Sequence, residues 1–351
     1  PPVRLWRIAV DDDMKAERIT ANPDRIRSLN VSPDGRWAVA IHERSVSYTF
    51  NHKIKPIVVL HDLKEKTSQT IFAGKFNISE IHWQTDSKGF FAVNQFTNHP
   101  RYVMAYIEEL YHFDLAAKSA ARVDLGADGA KGLADASAGF AVTPDGFVAL
   151  LADGVRHRPR RYVRQGAAWK AIPLDAEHLQ EVRASRDGKT LVVLQSSAVS
   201  PPRWLRVDWR DGRLGEPKEL IDLHADLRKK PMARTEAIRW KGARGEEVEG
   251  LLSYPHGYKP GQRHPLVVLI HGGPHWADFD AWDERWAYVR NLLCARGAFV
   301  FRPNYHGSSH YGLKWAESIE GNYYLPVEDI EKGIDHLVAR GLADKDRVGL
   351  G

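Results

Sequence analysis

The 351-residue sequence predicts a partial β-propeller of about four blades over residues 1–233, followed over residues 234–351 by the first half of a parallel α/β domain. Three observations carry this reading. One distinctive turn recurs in each strand-rich unit, the pattern changes near residue 233 to strands alternating with helices, and the composition is that of an ordinary globular protein. Hydrophobic residues make up 43% and charged residues 27%, which excludes disorder and collagen-like repeats, and the length suggests about two domains.

The recurring turns are Ser32-Pro33-Asp34-Gly35, Thr85-Asp86-Ser87-Lys88-Gly89, Thr143-Pro144-Asp145-Gly146 and Ser185-Arg186-Asp187-Gly188, with their aspartates 52, 59 and 42 residues apart. Ser or Thr and Asp cap backbone N–H groups, Pro presets φ, and Gly accepts a positive φ where the chain reverses. Apolar strand segments flank each turn, among them 81–83 and 90–93, 140–142 and 147–150, and 191–194. Further strands at 57–63 and 110–115 bring each unit to three or four strands, the period of a propeller blade.

The polar stretch Arg228-Lys229-Lys230-Pro231 reads as a linker. Beyond it, strands are expected at 248–254, 266–270, 298–301 and 347–350, the last as a buried strand. Trp282, Trp286, Val289, Leu292 and Leu293 recur at helical spacing and predict a helix over 282–296, stopped by Gly297. A second helix is expected over 326–340, with Pro326 in its first turn, Glu328 and Asp329 near its positive end, and Gly341 after it.

Charge and cysteine content set further bounds. The formal charge is 50 − 45 = +5, which is only mildly basic. The apolar run 266–270 is far shorter than the ~20 residues needed to cross a bilayer. Cys294 stands alone, so an intrachain disulfide and a CxxC site are excluded, and a reducing, cytoplasmic compartment is favoured. Both ends, at Pro1 and Gly351, read as internal to a longer protein, so the missing leader is uninformative about secretion.

His271-Gly272-Gly273-Pro274 follows strand 266–270 at the edge of a parallel sheet where ligands bind in such folds. Two glycines leave the backbone bare, so that an N–H can point at a substrate oxygen, as in the oxyanion loop of α/β-hydrolases. The alternative is a Gly-Gly turn that merely ends the strand.

With that loop, the segments Arg302-Pro303-Asn304-Tyr305-His306-Gly307-Ser308-Ser309-His310-Tyr311-Gly312, Pro326-Val327-Glu328-Asp329-Ile330 and Asp346-Arg347-Val348-Gly349-Leu350-Gly351 resemble, in order, the catalytic domain of the prolyl oligopeptidase family, especially its acylaminoacyl-peptidase and dipeptidyl-peptidase branches. The resemblance implies an N-terminal β-propeller followed by an α/β-hydrolase domain, and a serine peptidase acting on short peptides through an acyl-enzyme. It also implies that Gly273 donates its backbone N–H to the oxyanion, supported by His271, Gly272 and Pro274. The family usually carries Arg where His306 stands, which puts an anchoring ion pair from that position in doubt.

No G-x-S-x-G occurs in the chain, so no member of a catalytic triad is expected within it; the resemblance puts the serine two or three positions past Gly351. The chain alone is expected to be inactive. An esterase on the same fold, or an inactive α/β domain serving as a binding module, are the rival readings.

Several other groups have plainer roles open to them. Ser308 and Ser309 beside His306 and His310 offer a nucleophile with a base, but near neighbours in sequence rarely meet in that geometry. His306 and His310 have a ligand-like spacing without a third ligand, so no metal and no cofactor is expected. The basic run Arg156, Arg158, Arg160, Arg161 and Arg164 reads as exposed arginines on a strand pair, so neither nucleic acid nor membrane is expected as a partner. Glu108 and Glu109 offer a site for a substrate amino terminus, but read first as a solvated strand entrance.

Overall fold

A computed structural model describes residues 1–10, 14–45, 54–99, 103–126, 132–176, 178–210, 213–285 and 289–351. A short ribbon of β1 (Trp6–Ile8) and β2 (Ala16–Arg18) precedes four antiparallel meanders. The first is β3 (Arg25–Val31), β4 (Trp37–Glu43), β5 (Ile57–Asp62) and β6 (Thr67–Phe72). The second is β7 (Ile78–Trp83), β8 (Gly89–Phe96), β9 (Ile107–Asp114) and β10 (Ser119–Arg122). The third is β11 (Phe140–Thr143), β12 (Gly146–Asp153), β13 (Arg156–Gln165) and β14 (Ala168–Pro173). The fourth is β15 (Leu179–Ala184), β16 (Thr190–Ser197), β17 (Ser200–Arg210) and β18 (Arg213–Leu214), with β19 (Lys218–Ile221) pairing β17.

These sheets stack face to face in chain order because their middle strands are apolar on both sides. In β12, Phe147, Ala149 and Leu151 pack with Phe91, Val93 and Leu110 of the second sheet, whereas Val148 and Leu150 pack with Leu191, Val193 and Leu205 of the fourth. Val39, Ile41 and Leu60 of the first sheet meet Ile81, Phe90 and Phe113 of the second in the same way. Full burial of each such side chain contributes about 1.5–3 kcal/mol, which makes these three layers the main cohesion of residues 25–221.

The recurring turns use the chemistry expected of them. Ser32 Oγ donates to Asp34 Oδ1 (2.5 Å) and accepts from the Trp37 N–H (2.9 Å); Ser185, Asp187 and Thr190 repeat the pattern at 2.6 and 3.0 Å. The glycines differ from expectation in one respect. Gly35 and Gly188 take a positive φ, but Gly146 lies in the strand, where a Cβ would sit 1.9 Å from the Tyr162 carbonyl oxygen. Gly146 is therefore required for close approach of β12 to β13, not for the turn.

Beyond α1 (Ala225–Arg228), β20 (Thr235–Lys241), β21 (Glu247–Ser253), β22 (His264–Val268), β23 (Phe299–Asn304) and β24 (Ala343–Leu350) form one sheet in the order β20-β21-β23-β22-β24. β22 pairs in parallel with β23 and β24, whereas β21 runs against both of its neighbours, β20 and β23, so the sheet is mixed rather than purely parallel. Helices α2 (Arg290–Ala295), α3 (Leu313–Ala316) and α4 (Leu325–Ala339) lie among these strands, and α4 covers a core that includes Trp240, Leu266, Phe299 and Phe301.

Two expectations need correction. The helix expected over 282–296 is only α2, and Trp286 lies outside the described residues. Polar contacts override the apolar periodicity here: Asp283 turns inward to Arg302 (2.6 Å), and Glu284 pairs with the buried Arg290 (2.8 Å) and accepts the Asn291 N–H at the helix start. Nor is the segment 347–350 buried. It belongs to β24, which pairs with β22 on one side only and leaves Leu350 70% exposed.

Candidate active site

β22 delivers the chain to His271-Gly272-Gly273-Pro274 at the end of the parallel strands. His271 is buried, whereas Gly272 and Gly273 are exposed. Gly273 takes φ +126°, and a Cβ there would lie 2.9 Å from both the His275 and Trp276 nitrogens, so only glycine fits. Among the described residues neither the Gly272 nor the Gly273 N–H has an acceptor. The Gly273-Pro274 bond is cis.

The loop is held from beneath by segment 304–311. His271 stacks on Tyr305 (4.4 Å between centroids), whose O–H donates to the His271 carbonyl. The Gly272 carbonyl can only accept, so the proton is on His271 Nδ1 (3.2 Å), and Nε2 accepts from Ser308 Oγ (2.9 Å). Burial pushes the imidazole down to about 4, so it is neutral. His275 Nδ1 donates to the Gly307 carbonyl (2.9 Å), and the Ser309 N–H to the Trp276 carbonyl (3.1 Å). Asn304 ties the far end, accepting the Asp278 N–H (2.7 Å) and donating to the Asp278 carbonyl (2.9 Å).

His306, where the anchoring ion pair was in doubt, makes two. Its Nδ1 is 2.6 Å from Asp329 and its Nε2 is 2.7 Å from Glu246. His310 points elsewhere, with Nε2 on the Ala134 carbonyl (3.1 Å), so the two histidines do not converge on a metal. No group of three potential ligands occurs among the described residues.

Ser308 is fully buried against His271, which makes it a strut rather than an accessible nucleophile. Ser309 reaches the cavity, but no described histidine is hydrogen-bonded to its hydroxyl.

A cavity of about 560 Å³ opens over Gly273, bounded by His275, Trp276 and Phe279 on one side and by Tyr106, Glu108 and Asp135 on the other. Glu108 and Glu109 are not a solvated strand entrance. Glu109 is 6% exposed and held by Arg122 (3.1 Å), while Glu108 accepts the Ala136 N–H (3.1 Å) and faces the cavity. Burial raises the Glu108 carboxyl to about 7, with Asp135 and Glu80 adding repulsion. In sequence the pair reads as surface because β9 alternates faces, and only the neighbouring sheet and the segment 132–136 enclose it.

Four of the five arginines of the run have side-chain partners. Arg161 is buried against Asp145 (2.7 Å) and over Trp209 (4.4 Å), Arg158 pairs with Asp153 (2.5 Å), Arg156 with Asp280 (3.5 Å), and Arg164 stacks over Trp169 (5.5 Å). Arg161 thus departs from the expected exposure.

Residues 285–351 match the model of the prolyl oligopeptidase family. The chain is thus similar to members of the prolyl oligopeptidase family. It is 25% identical over 169 residues to dipeptidyl-peptidase 5 of Schizosaccharomyces pombe, covering 48% of this chain and 24% of that protein. To the acylamino-acid-releasing enzyme of Homo sapiens it is 25% identical over 197 residues, covering 53% of this chain and 24% of that enzyme. Among solved structures, a Mycobacterium tuberculosis puromycin-hydrolyzing peptidase superposes with TM-score 0.67 and 22% identity, over 97% of this chain and 50% of that one. A puromycin hydrolase gives TM-score 0.69 at 18% identity over 95% and 50%. The chain thus spans about a quarter of these relatives' sequences and half of these solved structures, whose likeness shows the fold.

Proposed function

We propose that the whole protein is a serine peptidase that cleaves short peptides through an acyl-enzyme, with the Gly273 N–H as one donor of its oxyanion hole. In this reading residues 1–233 are a partial β-propeller of about four blades and residues 234–351 the first part of an α/β-hydrolase domain. The observation that carries it is the free, exposed N–H of Gly273, in a loop braced by Tyr305 and Ser308 and facing a 560 Å³ cavity. Preorganised donors of this kind stabilise the charge that develops on a tetrahedral intermediate.

The sheet supports this assignment. The Ile270 N–H donates to the Gly351 carbonyl (3.1 Å), and the Gly351 N–H to the Val268 carbonyl (2.9 Å), so the chain at Gly351 runs directly beside the loop. A nucleophile following that strand would meet a carbonyl carbon whose oxygen points at Gly273.

The cavity's acids favour one substrate class. Glu108 and Asp135 line the cavity opposite Gly273, which suits a peptide with a free ammonium group better than an acylated one. The test is labelling of the whole protein with a fluorophosphonate, alongside hydrolysis of free-amino and acylated dipeptide anilides. Stoichiometric labelling at a serine after Gly351, with faster turnover of the free-amino substrate, is expected. No labelling and no turnover would leave a binding module, and hydrolysis confined to esters would leave an esterase.

A further inference from the structure

His306 is 0% exposed and lies between two carboxylates, Asp329 of α4 at 2.6 Å and Glu246 of the 242–246 turn at 2.7 Å. A carboxylate on each ring nitrogen requires a proton on each, so the ring is an imidazolium. The Trp315 indole stacks on it at 4.0 Å and 20°. Asp329 is further engaged by the His306 N–H (2.8 Å) and the Ala243 N–H (2.8 Å). The other charges nearby are Lys314 of α3, 3.8 Å from Glu246, Arg244 of the same turn, and Lys332 of α4, which bonds the Gly242 carbonyl (3.1 Å) and Glu328 (3.0 Å).

The three residues after His306 are those that hold the loop above: Gly307 receives His275, Ser308 donates to His271, and Ser309 donates to Trp276. We propose that His306 is a positioning residue whose positive charge, clamped between Asp329 and Glu246, locks segment 305–309 to α4 and the 242–246 turn and thereby fixes the Gly273 loop. The functional weight of this lock rests on the oxyanion reading of Gly273; the lock itself does not.

Loss of one proton opens the clamp, because a neutral imidazole donates from one nitrogen only. Asp329 is fully buried and keeps its partner, whereas Glu246, with 40% of its side chain exposed, can turn to water and Lys314. The Glu246 contact therefore breaks first. Burial alone would lower the His306 pKa, but the hydrogen bonds to Asp329 and Glu246 outweigh it and hold the pKa above 6.5. A raised folded pKa means that the clamp's stabilisation is complete below the unfolded value near 6.5 and is lost as pH rises through the folded value.

The test is made on the whole protein and needs no substrate. With ¹⁵N-histidine labelling, His306 is assigned by comparison with His306→Gln and titrated, while hydrogen exchange of 307–309, whose amides bond the carbonyls of Trp315, Tyr305 and Trp276, is corrected for intrinsic rate and followed against pH. Both ring N–H signals are expected at low pH, with a midpoint above 6.5, and exchange of 307–309 should quicken by about tenfold or more as the ring becomes neutral. His306→Arg, a permanent cation, should remove the pH step and keep exchange slow; His306→Gln should be fast throughout. A midpoint at or below 6.5, or exchange of 307–309 in His306→Gln equal to that of the unmodified protein, overturns the proposal. If His306→Gln does not fold, Glu246→Gln replaces it: a lowered midpoint supports the clamp and an unchanged one refutes it. A failed oxyanion reading would show only in kcat and leave these readouts as they are.

Discussion

Replacing Gly273 with alanine tests the oxyanion loop with the smallest added group. At φ +126° an L-residue is strained by about 1–3 kcal/mol. The new Cβ would also lie 2.9 Å from two backbone nitrogens, which is 3.4 − 2.9 = 0.5 Å inside ordinary contact. The loop must move by a comparable distance or rotate its peptide, and an N–H aimed at an oxygen about 2.7–3.1 Å away loses its bond under such a shift. Loss of one oxyanion donor costs about 10²–10³ in kcat, or roughly 2.7–4 kcal/mol. The assay is kcat and KM of the whole protein on dipeptide anilides, with thermal melting to confirm folding and Leu223→Ala, at an 80% exposed position, as control. The fall should lie mainly in kcat, because the bond strengthens in the transition state. A folded Gly273→Ala protein whose kcat stays within about threefold of the original would refute the reasoning and leave 271–274 as a structural turn.

Other outcomes follow from neighbouring residues. Ser308→Ala removes the donor to His271 Nε2 and should destabilise by about 1–3 kcal/mol without abolishing fluorophosphonate labelling; lost labelling in folded protein would make Ser308 the nucleophile. Arg302→Met leaves the buried Asp278 and the half-buried Asp283 without their cation and should cost about 3–5 kcal/mol in denaturant melts. Glu108→Gln should raise KM for free-amino peptides at pH 8 and little at pH 5, because the carboxyl near 7 is ionised only at the higher pH; a pH-independent effect would count against charge recognition. Gly242→Ala, in a turn outside the loop, should destabilise the protein in thermal melts, since its Cβ would lie 2.3 Å from Asp329 Oδ1 and from Val248.

The features legible in the sequence are those whose causes are local. Ser32, Asp34 and Trp37 close their turn within five residues, and strand 266–270 is apolar whatever surrounds it. The features that were not legible depend on distant partners. Asp283 and Glu284 break a helical pattern because Arg302 and Arg290 are buried beneath them. His306 finds Glu246 60 residues upstream and Asp329 23 downstream, so its two ion pairs depend on residues far from it in sequence. Asp329, read as a helix-start acid, is the fully buried centre of that network. Glu108 became a cavity carboxyl only when the third sheet stacked on the second.

The central claim is that Gly273 points its N–H at the reacting oxygen. A crystal structure of the whole protein carrying a peptidyl boronate on its nucleophilic serine measures this directly. The account predicts a boronate oxygen about 2.7–3.1 Å from the Gly273 nitrogen, inside the cavity shared with Glu108. An adduct whose oxygens are bound by other donors, with Gly273 N–H facing solvent, would contradict it.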